Sequence, residues 1–407
     1  MSRAGAVRQS ADSPQQSLKH VPASQSARTD AHVHTHAAAA NNSFKSLPRD
    51  PASVSTQSPP LRLNSLERLP KWLVCIPLTL QWLGLSLRYG SLTLPTAANP
   101  HITAGGLVGE GKLEYFAGMG PVALDAVAPY CRVTTRFQAT DPALQQQLQR
   151  AGLRFPLIAK PNVGLCGYGV QLIPSRPALH SYLASFPKDQ TVMLQQYLPQ
   201  EGEAGIFYVR DPHTGRGRII GMGLRYFARV TGDGWRTLAQ LVQADPRAQR
   251  AVRGSSHLSH LNRAWVPANG HMVRLATVGS LRVGSIYRNG RSCITPQLVA
   301  AIDAIARDMP DFHFGRFDVR FDSLADLRCG RGLHIMEING AGSEAIEAWD
   351  PRIGILQGLR LVFAKQRLLF AIGHNNRKNG IRPMRLLALA RLHWHQLKLI
   401  ARYPPSN

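Results

Sequence analysis

An α+β fold is predicted for this chain by two patterns and by their order along the sequence. From Phe155 onward, short β-like runs alternate with glycine turns, including FPLIAKP, VQLIP, TVMLQQYL and GIFYVRD. A helical stretch follows at 295–309, with Leu298, Ile302 and Ile305 on one stripe. Two more strands, GRFDVRF and LHIMEING, come after this helix. This mixture of strands and helices predicts an α+β layout.

Composition limits the class of protein and of partner. The chain has 407 residues, 44% of them hydrophobic, which is enough for two or three packed units. Its 48 Lys and Arg against 24 Asp and Glu leave a net charge of +24, which favours a polyanionic partner such as nucleotide phosphates, anionic lipid or nucleic acid. The five cysteines are scattered without a C-x-x-C pair, so we expect neither a disulfide framework nor a zinc site. Free cysteines of this kind fit a protein of the reducing cytosol, which we expect as the location.

The texture of the sequence predicts five segments. A Ser-, Ala-, Gln-, Pro- and His-rich tail is expected to be disordered, and a helical, glycine-rich region follows it. The two strand-rich regions come next, the first with a glycine-rich loop and the second with charged strands. A basic helical extension then ends the sequence, with no acidic residue after Asp350. In order, the segments are 1–65, 66–150, 151–230, 231–351 and 352–407.

An apolar stretch lies between Lys71 and Arg88. It contains 16 uncharged residues, interrupted by Pro77 and Gln81. A membrane-spanning helix needs about 20 apolar residues. We therefore expect a buried or interfacial helix here and not a transmembrane span.

The two late strands carry the polar side chains that matter for chemistry. In GRFDVRF, the apolar Phe317, Val319 and Phe321 alternate with Arg316, Asp318 and Arg320, so one face packs and the other presents a carboxylate between two guanidiniums. In MEIN, Glu337 and Asn339 are two apart and share a face. If the strands are neighbours, three oxygen donors converge, and such donors suit Mg²⁺. The alternative is a pair of strands stabilised by Arg–carboxylate bridges on a wet face.

A glycine-rich loop precedes these strands. In IAKPNVGLCGYGVQLI, Gly164, Gly167 and Gly169 form G-x-x-G-x-G behind Lys160. The pattern is neither a phosphate-binding P-loop nor a Rossmann turn, because Gly-Lys-Ser/Thr is missing and a strand follows. A loop of this kind can close over phosphates with its backbone N–H groups, or it can be a glycine hairpin with a purely geometric role.

Taken together and in this order, the motifs resemble the ATP-grasp superfamily. Lys160, the glycine loop, the strand ending LQQYL, and the distal Asp and Glu-x-Asn match the family pattern, and TGDGWRT is similar to a segment of the cyanophycin synthetase and glutamate-ligase branch. The resemblance, which extends to D-alanine–D-alanine ligases, covers roughly 98–351. It implies an ATP-grasp fold, in which two α+β subdomains grip ATP, with 151–230 as the central subdomain and 231–351 as the metal-binding one.

The resemblance also implies roles for particular residues. Glu337 would bridge two Mg²⁺ ions (or Mn²⁺), with Asp318 and Asn339 completing the metal set, and Arg316 would stabilise the acyl-phosphate transition state. Ser343 would lie near the acceptor or oxyanion. The nucleotide-binding residues would be Lys112, Lys160, Gly164, Gly167, Gly169, Gln195, Gln196, Tyr197, Leu198 and Glu203. For two of these a simpler interpretation stays open, because Lys112 fits a surface lysine and Glu203 a solvated turn residue.

The function implied is an ATP-dependent carboxylate–amine ligase that releases ADP and phosphate, with an amino acid or a peptide as substrates; a thiol acceptor stays open. The alternative is an ATP-grasp scaffold that binds an anionic membrane or nucleic acid through its basic tail. Nucleic acid is the less favoured partner, because aromatic residues do not interleave with the basic ones.

The tail itself permits two interpretations. In 384–403, Leu386, Leu389, Leu397 and Ile400 fall opposite four basic residues on a helix. Such a helix can dock on its own domain through the leucines, which we favour, or make weak peripheral contact with a membrane surface.

Overall fold

The computed structural model describes residues 69–135, 142–254 and 261–406. The predicted disordered tail, 1–65, lies outside these residues. Helices and antiparallel strands follow one another in mixed order in the described part, which confirms the predicted α+β fold. Helices predominate in the described parts of 69–135 and in 352–406.

The α-helices are α1 (Lys71–Tyr89), α2 (Lys112–Phe116), α3 (Pro121–Ala126), α4 (Pro142–Arg150), α5 (Arg176–Ser185), α6 (Leu238–Gln243), α7 (Pro246–Gly254), α8 (Pro296–Arg307), α9 (Leu324–Arg328), α10 (Ile355–Lys378) and α11 (Leu386–Ile400). The strands are β1 (Tyr130–Thr134), β2 (Leu157–Pro161), β3 (Gln171–Ile173), β4 (Thr191–Gln196), β5 (Gly202–Arg210), β6 (Gly217–Tyr226), β7 (Arg229–Thr231), β8 (Met272–Arg274), β9 (Ile286–Asn289), β10 (Phe314–Phe321) and β11 (Leu333–Asn339).

Two antiparallel sheets form the framework of the described residues. One has four strands in the order β1-β4-β2-β3, the other has five in the order β11-β10-β5-β6-β9, and β7 and β8 form a separate ribbon. The sheets do not follow the segment boundaries expected at 150 and 230. Strand β1 joins the sheet of the glycine loop, and β5 and β6 join the sheet of β10 and β11. Residues 203–209 of β5 are all buried, so this strand requires a partner on both edges.

The largest hydrophobic core of the described residues lies on one face of the five-stranded sheet. The apolar residues of β10, Phe317, Val319 and Phe321, are buried there. Helix α8 covers this face with Leu298, Ile302 and Ile305, the stripe predicted from the sequence. Thr295 caps α8 by accepting a hydrogen bond from the N–H of Leu298.

The apolar stretch 71–88 forms α1, which packs along α10. The Gln81 amide donates to the Phe363 carbonyl oxygen at 2.9 Å, and Trp82 lies edge-on to Phe370 at a centroid distance of 4.9 Å. Among the described residues, no helix has the length and apolar character needed to cross a bilayer.

Helix α11 docks on the domain, as favoured, but through a different face from the one predicted. Leu386 and Leu397 are exposed, whereas Gln396 and Leu399 are buried. The face is shifted because Gln396 donates a hydrogen bond to the Gly164 carbonyl oxygen at 3.1 Å, so a polar side chain lies in the contact. A hydrophobicity pattern does not register such a bond.

Asn99 joins the glycine-rich segment after α1 to the sheet. Its side chain is fully buried and donates to the carbonyl oxygens of Gly105 and Phe314 while accepting from the N–H groups of His313 and Phe314, at 2.8–3.0 Å. One amide thus satisfies four backbone groups in the interior.

We expect Asn99→Ala to lower the free energy of unfolding by about 3 kcal/mol, because it leaves these backbone groups without partners in the core. Urea denaturation measures the change. The exposed Asn379→Ala is the matched control and is expected to stay within about 0.5 kcal/mol. An equal effect of the two substitutions would contradict the role assigned to Asn99.

Candidate functional site

The charged residues of β10 lie on the face of the sheet opposite to the core. Arg316, Asp318 and Arg320 alternate with the buried phenylalanines as predicted, but they are 9%, 3% and 4% exposed. This face is therefore covered and not wet, which argues against the simple surface-bridge alternative.

Strand β11 places Glu337 and Asn339 next to these residues. Asp318 pairs with Glu337 in the antiparallel register, and Arg316 pairs with Asn339. The register shifts beside Asp318, where an extra residue in β11 interrupts the in–out alternation around Met336. Such a bulge redirects a side chain locally. The two polar residues of MEIN thus lie beside the aspartate, as the sequence predicted.

Asp318 is held by cationic partners. Arg316 makes a two-point contact with its carboxylate, Nε–Oδ1 at 2.7 Å and Nη2–Oδ2 at 2.9 Å. Arg225 donates to Oδ1 at 3.0 Å, and the Asn339 amide donates to Oδ2 at 3.1 Å. Burial would raise the pKa of Asp318, but the two arginines outweigh it and hold the pKa below its ordinary value.

Two lysines approach the same place from other elements. Lys112 Nζ, at the start of α2, lies 3.1 Å from Glu337 Oε1. Lys160 Nζ, from β2 in the four-stranded sheet, lies 2.6 Å from Gln195 Oε1 and 3.2 Å from the Met336 carbonyl oxygen. The surface-lysine alternative for Lys112 is therefore not supported, because its side chain is 13% exposed and ion-paired.

Burial and neighbouring charges shift the ionisation of Lys160 and Glu337. Burial lowers the pKa of Lys160 to about 8, against the opposing effect of Glu337. Burial also disfavours the charged form of Glu337, but Lys112 and Lys160 outweigh it and lower the pKa of this carboxyl. Glu337 is thus ionised at neutral pH, between two ammonium groups.

The glycine-rich loop lies beside Lys112. The Lys112 N–H donates to the Asn162 carbonyl oxygen at 2.9 Å, and a Cβ on Gly164 would lie 3.1 Å from Lys112 Nζ. Gly167 and Gly169 have φ angles of +75° and +73°, which residues other than glycine rarely adopt. The loop between β2 and β3 therefore needs its glycines for its shape, and it borders the cluster of charges.

Among the residues expected at the adenine and ribose, Gln195 contacts Lys160 directly. Gln195 and Gln196 end β4, and Tyr197 and Leu198 follow it, partly exposed. The Gln195 side chain is bound to Lys160, and the Gln196 N–H donates to the Pro129 carbonyl oxygen at 2.8 Å.

Glu203 is not a solvated turn residue. It is the second residue of β5, is 4% exposed, and pairs with Arg225 at 2.9 Å and with Arg320 at 3.3 Å. Both of its oxygens are therefore engaged, and contact with a ribose would require one of these pairs to open.

Ser343 lies in the loop after β11. Its hydroxyl donates to the Gly340 carbonyl oxygen at 2.6 Å, and Arg316 Nη1 donates to the neighbouring Glu344 carbonyl oxygen at 3.0 Å. The same loop is bound to the glycine-rich segment before α2, because the N–H of Gly342 donates to the Gly106 carbonyl oxygen at 2.7 Å. Ser343 is thus close to Arg316 in the fold.

Sequence reasoning missed Arg225 and Asn162. Arg225 connects Glu203 to Asp318, and the Asn162 Oδ1 accepts from the N–H of Leu113 at 3.0 Å. Each stands in a run that looks like an ordinary strand or turn. For Arg225, the one signal was a charged residue in the glycine-rich apolar run RIIGMGLRYF.

The oxygen donors of Asp318, Glu337 and Asn339 are of the kind that binds Mg²⁺. Glu337, Asp318 and Asn339 are adjacent and offer carboxylate and amide oxygens, which hard cations prefer. Glu337 is the most accessible of the acids, with a side chain about 31% exposed, whereas both oxygens of Asp318 are bound by arginine. No group of three or more His, Cys, Asp or Glu side chains in the described ranges is placed to hold a metal, so the amide is needed to complete a set of three.

Solved structures similar to this chain include a bifunctional glutathione synthetase from Pasteurella multocida, at 17% identity and a TM-score of 0.37, covering 68% of this chain and 38% of that one. A D-alanine–D-alanine ligase from Bacillus anthracis is 15% identical at a TM-score of 0.34, covering 64% and 66%.

No family model matches the sequence. Two curated relatives, the glutathione biosynthesis bifunctional proteins of Streptococcus agalactiae serotypes V and III, are 31% identical over 110 residues. The match covers 26% of this chain and 14% of the length of each relative. In its motifs, in their order and in the relatives that it matches, the chain resembles the ATP-grasp ligases.

Proposed function

We propose that the protein is an ATP- and Mg²⁺-dependent ligase. In this reaction, a substrate carboxylate attacks the γ-phosphorus of ATP, ADP leaves, and an acyl phosphate forms. An amine then attacks the acyl carbon and displaces phosphate. Phosphoryl transfer of this kind depends mainly on positioning and on neutralisation of charge, with little covalent work for the protein.

The observation that carries the proposal is an excess of positive charge at one place between the two sheets. Five basic side chains meet three carboxylates there, and a fourth acid, Glu110, lies near Lys112 and Glu337, so the cluster keeps a surplus of one positive charge when all four acids are ionised. The basic residues are Lys112, Lys160, Arg225, Arg316 and Arg320, and the three carboxylates are Glu203, Asp318 and Glu337. A surplus of this sign in a covered site favours a polyphosphate.

Individual side chains then have distinct tasks. Lys112, Lys160 and the N–H groups of Gly164 and Leu165 in the loop would contact the phosphates, and Arg316 would stabilise the phosphoryl group in transfer. Asp318, Glu337 and Asn339 would hold Mg²⁺, as two ions or with Mn²⁺ in their place. When bound, the metal adds further neutralisation of the phosphate charge.

The nucleotide and the substrates complete the proposed site. Residues 195–198 would contact the adenine and Glu203 the ribose, while Ser343, beside Arg316, would face the acceptor. Because the matched relatives are named for glutathione biosynthesis, we propose an amino acid or a peptide as the carboxylate and an amine as the acceptor.

ATP with Mg²⁺ is expected to raise the melting temperature of the full chain. A ligand at a concentration of about 100 times its Kd adds about 2.7 kcal/mol to the free energy of unfolding. Lys160→Met is expected to remove most of this shift, because it deletes an ammonium group of the cluster. The control is Lys188→Met, at an exposed lysine outside the site. Shifts of equal size in both variants would contradict the assignment of Lys160.

A second candidate function, contact with an anionic membrane surface, is favoured by α1. One side of this helix leaves Trp72, Ile76, Leu80, Leu83 and Leu87 between 46% and 84% exposed. The sequence after Asp350 adds eleven Lys and Arg and no acidic residue. An apolar stripe near an excess of cations is typical of interfacial helices.

The protein is accordingly expected to cosediment with phosphatidylserine-containing vesicles at low salt and to dissociate as salt rises. Each basic residue near such a surface contributes about 1 kcal/mol, which salt screens. Leu80→Gln combined with Leu87→Gln should weaken binding, whereas Val122→Gln, an exposed apolar residue on α3, should not. Binding that ignores salt would exclude this function.

A further inference from the structure

Side chains from α11 and the residues after it donate hydrogen bonds to the glycine-rich loop. Gln396 donates to the carbonyl oxygen of Gly164 at 3.1 Å, and the Tyr403 hydroxyl donates to that of Val163 at 2.6 Å. The Ser406 hydroxyl donates to that of Gly167 at 2.8 Å. Three side-chain donors from residues 396–406 thus bind three carbonyl oxygens of one loop.

Packing adds to these bonds. The Tyr403 ring stacks on Phe186 at a centroid distance of 4.8 Å, and a Cβ on Gly169 would lie 3.1 Å from the Cβ of Tyr403. Gly169 therefore permits a close approach that a larger residue would prevent. Arg282 also reaches this contact, because its Nη2 donates to the Ser406 hydroxyl at 3.0 Å.

The same segment touches the turn that precedes Lys112. A Cβ on Gly109 would lie 2.3 Å from Cγ of Leu392, so the leucine of α11 lies directly on this turn. Residues 109–112 and the glycine-rich loop are joined to each other by a bridge between Gly111 and Val163. One helix and the residues after it therefore brace both loops that border the charge cluster.

The direction of the bonds determines what the loop presents to the site. In a trans peptide the C=O and N–H groups point in opposite directions, and these loop peptides are trans. Because the carbonyl oxygens of Val163 and Gly164 face the C-terminal segment, the N–H groups of Gly164 and Leu165 point away from it. Lys112 lies close to Gly164 on the site side of the loop.

We propose that Gln396, Tyr403 and Ser406 are positioning residues that hold the glycine-rich loop with the N–H groups of Gly164 and Leu165 turned toward the phosphates of ATP. The ATP part of this inference rests on the proposed function. The bracing part does not, because it concerns contacts within the chain. Opening the loop for nucleotide exchange then requires these three bonds to break.

The test uses the full chain and the double variant Tyr403→Phe with Ser406→Ala. The Phe keeps the stacking on Phe186, so the change removes two hydroxyl donors and little packing. The matched control is Tyr89→Phe, which also removes a tyrosine hydroxyl and keeps a stacked ring. Tyr89 stacks on Phe370 and not on a residue of the loop. Amide hydrogen exchange of 163–170 is measured first, followed by the steady-state constants for ATP.

We expect loop exchange in the double variant to become about tenfold faster, with exchange in β10 unchanged and the control like the wild type. We also expect KM for ATP to rise about tenfold with kcat changing less than twofold, because the bonds position the bound nucleotide. Unchanged loop exchange would overturn the proposal. Faster loop exchange in a protein that binds no ATP would refute the proposed function and leave the bracing role standing.

Discussion

The Glu337→Gln variant is expected to keep its fold and to lose ATP-dependent ligation by about a thousandfold in kcat. The amide has nearly the shape of the carboxylate but no charge, and Glu337 is the accessible acid between Lys112 and Lys160. Without its charge, the two ammonium groups lose their common counter-ion, and the proposed Mg²⁺ set loses an acidic oxygen.

ADP release in the presence of a reacting carboxylate and amine measures the effect, and circular dichroism checks the fold. Glu344→Gln is the control, because that side chain is exposed in the neighbouring loop. The assignment of Glu337 is wrong if its variant turns over at the rate of the control.

Asp318→Asn is expected to cost both activity and stability. Its carboxylate is the common partner of Arg316 and Arg225, so an amide leaves the buried Arg316 without its carboxylate partner and leaves Arg225 with Glu203 alone. Breaking a buried pair from one side typically costs about 3–5 kcal/mol in unfolding free energy. The surface pair of His101 and Asp311, with side chains 59% exposed, provides the control Asp311→Asn, for which we expect less than about 1 kcal/mol.

The pH dependence of this effect has a definite sign. The pKa of Asp318 is lower in the folded protein than in the unfolded chain, where it is about 3.9. Its contribution is therefore complete above about pH 4 and is lost as pH falls through the lower, folded value. The stability difference between wild type and Asp318→Asn should be constant near neutral pH and should shrink in acid. A difference that grows in acid would contradict the ion-pair account.

Local patterns predicted much of the site. The alternation of GRFDVRF predicted that Asp318 and Phe317 lie on opposite faces of the sheet. The two-residue spacing of Glu337 and Asn339 predicted that these two share a face. Both outcomes depend on the period of a strand, which is a local property. The β-bulge at Met336 could not be predicted, because it depends on how β10 and β11 pair.

Contacts between distant parts of the chain were beyond sequence reasoning. Arg225 meets Asp318 across 93 residues, and Tyr403 meets Val163 across 240. Nothing in the neighbourhood of either residue signals the partner. The tail illustrates the same limit, because its leucines suggested a docking face that Gln396 and Leu399 occupy instead.

The identity of the products tests the central claim most directly. With ATP, Mg²⁺ and a panel of amino acids and peptides, ³¹P NMR distinguishes attack at the γ-phosphorus from attack at the α-phosphorus. An acyl-phosphate mechanism, which the charge cluster around Arg316 and Lys160 supports, predicts ADP and phosphate, with a hydroxamate when hydroxylamine replaces the amine. AMP and pyrophosphate under the same conditions would contradict the account.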